Sequence, residues 1–480
     1  MAKRIGRIEL PFTDGFYLSR SKPQSSKICV NWQPNDNTQA TLSGSNLYAS
    51  PGLSEVLDGL DGIGRGSHSF NGVLYTVNGE KLYRIDRTVN PDGGESYSPV
   101  DVADIPGSGR VIFASTAGQL VIVEPDIRAY VYDGATLTDL YGVTNVMTPI
   151  RDVIQINSFF LFCQTGTNWL FHSALNDGKI YAALDRWQVT QIPETIGLIN
   201  FRGQAYIMGE YSTVPFVGRA SNQFAFQVIP NGIIDCGLAG THAKTLFRGS
   251  FVFLGSGENA EQQVWLMSGA YPQTISTEPL DYLIQNESRE SIQTSFMMRH
   301  SQDGAEFLCF RIGDYCFVYD LVVGRWHERR SRIPFGDDFL DTPWRVNSIT
   351  QIYNKVFVTD SADSILGVID DLSATEYGIN LHRKVRTQPF MNMGIRQRVW
   401  AIEAYFDVGY SDEESLQLRW SDDGGFTWSN WISRPLGAVG EYGRRVVFDR
   451  LGAFPNTRML EFVYTGINPA SFNKLLANVT

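Results

Sequence analysis

The residues most suggestive of chemistry lie late in the chain. Ser421-Asp422-Asp423-Gly424-Gly425-Phe426-Thr427-Trp428 fits the Asp-box spacing S-x-D-x-G-x-T-W. The pattern predicts a tight hairpin. The Asp423 carboxylate accepts backbone and hydroxyl hydrogen bonds across the turn, with Ser421 and Thr427 as hydroxyl partners. Gly425 supplies a permissive φ and Trp428 packs beneath. That use of the carboxylate is structural. Two pairs of adjacent carboxylates, Asp422 with Asp423 and Glu413 with Glu414, fall on turns, where neighbouring side chains diverge instead of forming an acid–base couple. The six histidines (68, 172, 242, 300, 327 and 382) are isolated, without H-x-H or H-E-x-x-H spacing, so no metal site and no cofactor is expected. Gly107-Ser108-Gly109-Arg110 lacks the Gly-Lys-Ser/Thr ending of a phosphate loop and precedes a strand. No G-x-S-x-G elbow occurs. The chain is read as a non-enzyme.

Asp boxes are found in sialidases, at turns remote from the sugar site, and Arg332-Ile333-Pro334 resembles an arginine element of that family. There the element opens the catalytic domain and several Asp boxes follow. Here it sits two-thirds along the chain and one Asp box follows. A glycan-binding or sialidase-like propeller is therefore the alternative reading. Basic clusters remain at Arg329-Arg330-Ser331-Arg332, at His382-Arg383-Lys384-Val385-Arg386 and at Arg444-Arg445. Solvated loops are the ordinary explanation. Against an acidic surface they are also candidate assembly contacts, in particular Arg329, Arg330, Arg332, Arg383, Lys384 and Arg386.

The elements that must hold these residues are strands. The 480-residue chain has 12% aromatics and 45 glycines, the composition of short aromatic strands joined by glycine turns. No apolar run reaches the roughly 18 residues of a spanning helix. Residues 1–4 lead into a polar segment, unlike a signal peptide. Five scattered cysteines fit reduced thiols of a protein made in the cytoplasm, not a disulfide framework. The formal net charge of −11 excludes a basic DNA grip, which depends on neutralising phosphates.

From about residue 65 to 370 one hairpin pattern recurs. Val73–Val77, then Asn78-Gly79, then Lys81–Asp86 predicts a hairpin with a type I′ turn at Asn-Gly. Further units follow at 110–134, 153–171, 196–217, 246–267, 306–326 and 349–369. Starts roughly every 40 to 60 residues match the blades of a β-propeller, about seven in number with six as the alternative. Residues 278–286 form the best helical segment. After 369 the rhythm changes. Leu416, Leu418 and Trp420 alternate with Gln417 and Arg419, as in a sheet with one buried side. The expected organisation is all-β: an N-terminal extended arm with a first short strand (1–55, broken by Pro23, Pro34 and Pro51), a β-propeller (56–375), and a C-terminal antiparallel β-sandwich (376–480).

Several stretches, in order, are similar to one family. These are Val30-Asn31-Trp32-Gln33-Pro34 with Ser50-Pro51-Gly52-Leu53, then Gly107–Val111 with Gly118-Gln119-Leu120 and Tyr132-Asp133-Gly134. The most specific is Gly237-Leu238-Ala239-Gly240-Thr241-His242-Ala243-Lys244-Thr245 with Phe251–Leu254, followed by Thr274-Ile275-Ser276-Thr277 and the 421–452 region. Together they resemble the packaged-DNA stabilisation, head-to-tail hub or nozzle, proteins of short-tailed bacteriophages. The resemblance implies a structural virion component made in the host cytoplasm. It implies a homo-oligomeric ring, of six subunits, below the portal and an adaptor ring. Such a ring would hold a tail needle or plug, support tailspikes or fibres, and pass DNA through its lumen without specific binding. An acidic lumen is expected to keep that conduit slippery for phosphate.

Overall fold

A computed structural model of the chain describes residues 6–21, 25–36, 43–91, 93–221, 223–269, 271–336, 338–391 and 396–480. Residues 1–4 and Pro23, invoked above, lie outside these. The repeated unit begins with a two-residue reversal. Phe70 pairs with Val73 across Asn71 (φ 50°) and Gly72 (φ 75°). Both central residues have positive φ, the backbone of a type I′ turn, which matches the right-handed twist of the flanking strands. Asn157-Ser158, Arg202-Gly203, Arg248-Gly249, Asp303-Gly304 and Tyr353-Asn354 repeat the geometry between the first two strands of later units. The expected turn at Asn78-Gly79 is displaced. Asn78 still pairs with Lys81, and of the intervening Gly79-Glu80 only Gly79 has positive φ.

Six blades are each made of four consecutive antiparallel strands, five as separate sheets and the sixth as one end of an eleven-stranded sheet. They run Gly64–Phe70 to Glu95–Asp104, Ile112–Ser115 to Leu137–Asp139, and Ile150–Ile156 to Arg186–Gln188. The others run Gly197–Phe201 to Phe226–Val228, Lys244–Phe247 to Tyr271–Thr274, and Phe296–Gln302 to Arg325–Glu328. A composite sheet joins Val346–Ile352, Lys355–Asp360 and Leu366–Asp370 to the N-terminal strand Gly52–Leu57. This sheet closes the ring: Ser67 of the first blade lies 2.8 Å from Ser348 of the last. The seven units of the sequence thus appear as six continuous blades and one that borrows a strand. The helix over 278–286 is present as Glu278–Asn286.

Blade packing follows from alternation. Leu120 and Ile122 face the first blade with Tyr75 and Val77, whereas Val121 and Val123 face the third with Phe160 and Phe162. In the third blade Leu161 and Cys163 turn to the fourth, against Ile207 and Phe216. Phe307 and Cys309 of the sixth meet Val346 and Val358, and Phe357 and Leu366 meet Leu74 and Ile85. A strand buried on both faces needs an unbroken apolar run, and runs such as Leu120–Val123 supply it. Each such side chain contributes about 1.5–3 kcal/mol on leaving water.

The segment expected to be an extended arm with one short strand carries six strands among its described residues. Gly6–Glu9, Trp32–Asp36 and Ser45–Ala49 join Gln397–Phe406, Val446–Asp449 and Ser471–Val479 in one sandwich sheet. Ser26–Val30 lies between the sixth blade and Arg383–Arg386, which pairs with Thr457–Tyr464 and, beyond it, Ser415–Ser421. The sandwich core of Trp32, Leu47, Ile402, Leu418, Phe448, Phe462 and Phe472 therefore mixes both ends of the chain. The arm reading fails because Pro34 and Pro51 sit at a strand edge and a strand junction. Pro34 lies in an edge strand, where the absence of an N–H is harmless. Residues 422–427 form the Asp-box turn, and the strand that follows is Ile432–Pro435.

Candidate functional site

Asn31 sits where the sixth blade, the N-terminal segment and the sandwich meet. It is 1% exposed with φ 56°, a left-handed conformation that asparagine tolerates better than most residues. Its N–H donates to the Glu328 carbonyl at 2.8 Å. Its side chain accepts from Arg330 N at 2.9 Å and donates to the His382 carbonyl at 2.9 Å. Three segments distant in sequence are fixed by one residue.

Two of the basic clusters, 329–332 and 382–386, fall on this seam, whereas Arg444 and Arg445 pair with Glu441 and Glu403 of the sandwich. Arg329 is 1% exposed, donates to the Pro51 carbonyl at 2.8 Å, stacks 4.2 Å over Trp344 and lies 3.7 Å from Glu376. Arg383 is fully buried and donates to the Ala374 carbonyl; burial lowers its guanidinium to about 10. Both are enclosed by their own chain, so as assembly contacts they are corrected to internal ties. Arg386 and Arg419 both bind Glu461, each with Nε at 2.8 Å, and both guanidiniums lie over Trp428. Arg330 pairs with Glu328 at 2.6 Å and Arg332 with Asp341 at 3.7 Å. Arg330, Arg332 and Lys384 converge with Ile28, Asp341 and His382 on a pocket of about 170 Å³. Nearby, the buried Arg345 is ion-paired to Asp360 and Asp363.

The Asp box is built as its spacing requires. Asp423 accepts from Ser421 Oγ at 2.7 Å and from the Phe426 and Thr427 amides at 2.9 Å, and the Thr427 hydroxyl also donates to it. These donors hold its carboxyl well below the usual range. Gly425 N donates to Ser421 Oγ at 2.8 Å, and Trp428 Nε1 donates to the Gly425 carbonyl at 3.2 Å. Arg458 clamps the neighbouring Asp422 with two hydrogen bonds of 2.7 and 2.8 Å. Both Asp423 oxygens are committed to the turn, and both Asp422 oxygens to Arg458. The five cysteines are free and buried. His172, His300 and His327 are buried too; His172 is hydrogen-bonded to the Ser173 carbonyl at 2.7 Å and to Ala225 N at 3.1 Å, and burial lowers His300 and His327 to about 3.

The inner strands of the propeller blades line an axial cavity of about 550 Å³, in which Asp152 is the single carboxylate among the described lining residues. A carboxylate pair for acid–base work is not assembled there. Arg110, passed over as the end of a failed phosphate-loop pattern, projects into it. Its position at the start of an inner strand was the available signal. Asn31 carried none.

The sequence model described as "Bacteriophage P22 Gp10, beta-propeller" matches residues 8–374, and that described as "Bacteriophage P22 Gp10, beta-sandwich" matches 382–480. The chain belongs to the bacteriophage P22 Gp10 family. The resemblance read from the sequence, to hub or nozzle proteins of short-tailed phages, and the propeller-plus-sandwich fold class both agree with this membership. A curated relative, "Tail hub protein gp10" of Salmonella phage P22, is 26% identical over 351 residues, covering 70% of this chain and 71% of that protein. Among solved structures, the computationally designed Ika8 protein has 9% identity and a TM-score of 0.36, over 66% of this chain and 99% of its own. A chain of a mitotic checkpoint complex has 12% identity and a TM-score of 0.38, over 67% and 95%.

Proposed function

We propose that the chain is a structural, non-catalytic subunit of the tail hub of a short-tailed phage. It forms a homo-oligomeric ring, of six copies, that extends the DNA channel below portal and adaptor. In this reading the ring retains packaged DNA, carries the tail needle and tailspikes or fibres, and releases DNA at infection. The subunit is made in the host cytoplasm and resides in the virion tail. The observation that carries the reading is the ordered pair of family matches, propeller then sandwich, over nearly the whole chain. The architecture supports it. Rigid blades leave loops free to vary for assembly, and the net charge of −11 disfavours clinging to phosphate.

The glycan-directed alternative draws no support from its own motifs. Arg332 is paired with Asp341 and stacked on Phe339, and Asp423 is consumed by its turn. The reading is tested with a phage carrying a nonsense codon in this gene. Particles made without the chain are expected to fill and then lose their DNA, with wild-type protein in trans restoring retention. Full, infectious particles lacking the chain would overturn it.

A further inference from the structure

The axial cavity holds a charge that its own walls do not balance. Asp152 accepts from Lys244 Nζ at 2.8 Å, Leu198 N at 2.6 Å and Val153 N at 2.8 Å, so it is fully engaged. Arg299 is held by Glu306 at 3.1 Å. Arg110 has no carboxylate within ion-pair distance among the described residues. Its Nη1 donates to the backbone and side-chain oxygens of Asn347, and its guanidinium carbon lies 3.7 Å from the Phe296 ring centroid. Its Nε is shut off from solvent without a partner. Arg311 is near enough to oppose the charge further, and burial with this neighbour lowers Arg110 to about 9. Arg110 still carries its proton at neutral pH.

A desolvated guanidinium with an unused N–H is costly unless an anion completes it. Phe296 and Asn347 offset part of that cost by cation–π and dipole contacts. The unsatisfied Nε belongs to a planar donor fork, a geometry that suits a two-oxygen acceptor. His242, on the same wall, is kept neutral by burial and by Arg110 and Lys244. It can therefore donate or accept without adding charge. Ser67, within 2.8 Å of both Ser348 and Thr350, presents hydroxyls from the two sides of the ring closure. The volume falls in the range of small-ligand sites.

We propose that the propeller axis is a binding site for a small oxyanion, a carboxylate- or phosphate-bearing molecule, seated on Arg110 with His242 and the closure hydroxyls around it. This goes beyond the hub role and does not depend on it. The test is isothermal titration of the purified full chain with inorganic phosphate and, separately, with succinate. Ionic strength is held constant with sodium chloride. Saturable binding of one anion per chain is expected, and the preferred probe identifies phosphate or carboxylate as the natural head group. Arg110→Gln is expected to weaken it about tenfold or more, and Arg110→Lys, which keeps charge and loses the fork, by less. Arg450→Gln, on the exposed surface of the sandwich, should leave it unchanged. If Arg110→Gln does not fold, the wild-type titration decides alone. Absence of saturable binding by either probe, or equal binding in folded Arg110→Gln, overturns the proposal.

Discussion

The continuous blades and the seam between propeller and sandwich use the same strands and the same turn residues, yet they are built on different length scales. In a blade, neighbours in the sheet are neighbours in sequence, as in Phe70 to Val73 across Asn71-Gly72. In the seam, Val30 pairs with Glu328 and Lys384, and Gly52 with Asp370. A blade hairpin closes a short loop at small entropic cost. The seam closes loops of hundreds of residues, and only dense packing and buried polar ties offset that ordering. Local damage should therefore be absorbed in a blade turn and amplified at the seam.

The largest expected effect comes from breaking a buried ion pair of the closing blade, beside the seam. Arg345→Met strands Asp360, which is 1% exposed, without its partner, and should cost about 3–5 kcal/mol in urea unfolding. A loss near zero would mean that water reaches the pair. A sharper contrast uses one residue type twice. Asn31→Ala and Asn71→Ala both place alanine at positive φ, but only Asn31 also loses buried hydrogen bonds to Arg330 and His382. Losses of about 3 and about 1 kcal/mol are expected respectively. Equal losses would erase the distinction between seam and blade.

The pH response separates the regions in another way. Glu95 of the first blade is bound by the Tyr97 hydroxyl at 2.6 Å, by Lys355 of the closing blade at 2.9 Å and by Arg87. These partners lower its carboxyl to about 2 from an ordinary 4.5. A depressed carboxylate adds stability that is present above its unfolded value and lost as pH falls through its folded one. Wild type should lose that share between pH 4.5 and 2, and Glu95→Gln should flatten the urea midpoint over the same window. An unchanged slope would remove Glu95 from ring closure. The smallest effect belongs to Asp423→Ala. It should change Trp428 fluorescence and leave the main unfolding transition nearly in place, because the carboxylate ties only its own exposed turn.

What could be read in advance follows the same division. The hairpins, the helix at 278–286 and the Asp box depend on residues close in sequence, so periodicity and turn chemistry reveal them. Even there the type I′ turn lies at Asn71-Gly72, one reversal before the expected Asn78-Gly79, because Asn78 is used as a strand residue opposite Lys81. The strands Gly6–Glu9, Ser26–Val30 and Gly52–Leu57 could not be placed, since the partners that hold them, Val479, Glu328, Lys384 and Asp370 among them, lie more than 250 residues away. Arg329 and Arg383 looked like surface charge for the same reason. Nothing local announces that Trp344, Pro51 and Ala374 will enclose them. Arg110 escaped notice because one arginine before an apolar strand is ordinary until seven inner strands converge on it.

The central claim, that this chain is a building block of the tail hub, is tested most directly by imaging purified particles and reconstructing the tail. The account predicts copies of the propeller with its attached sandwich arranged around the tail axis, enclosing a DNA-wide channel. Particles whose tails contain no density for this fold would contradict it.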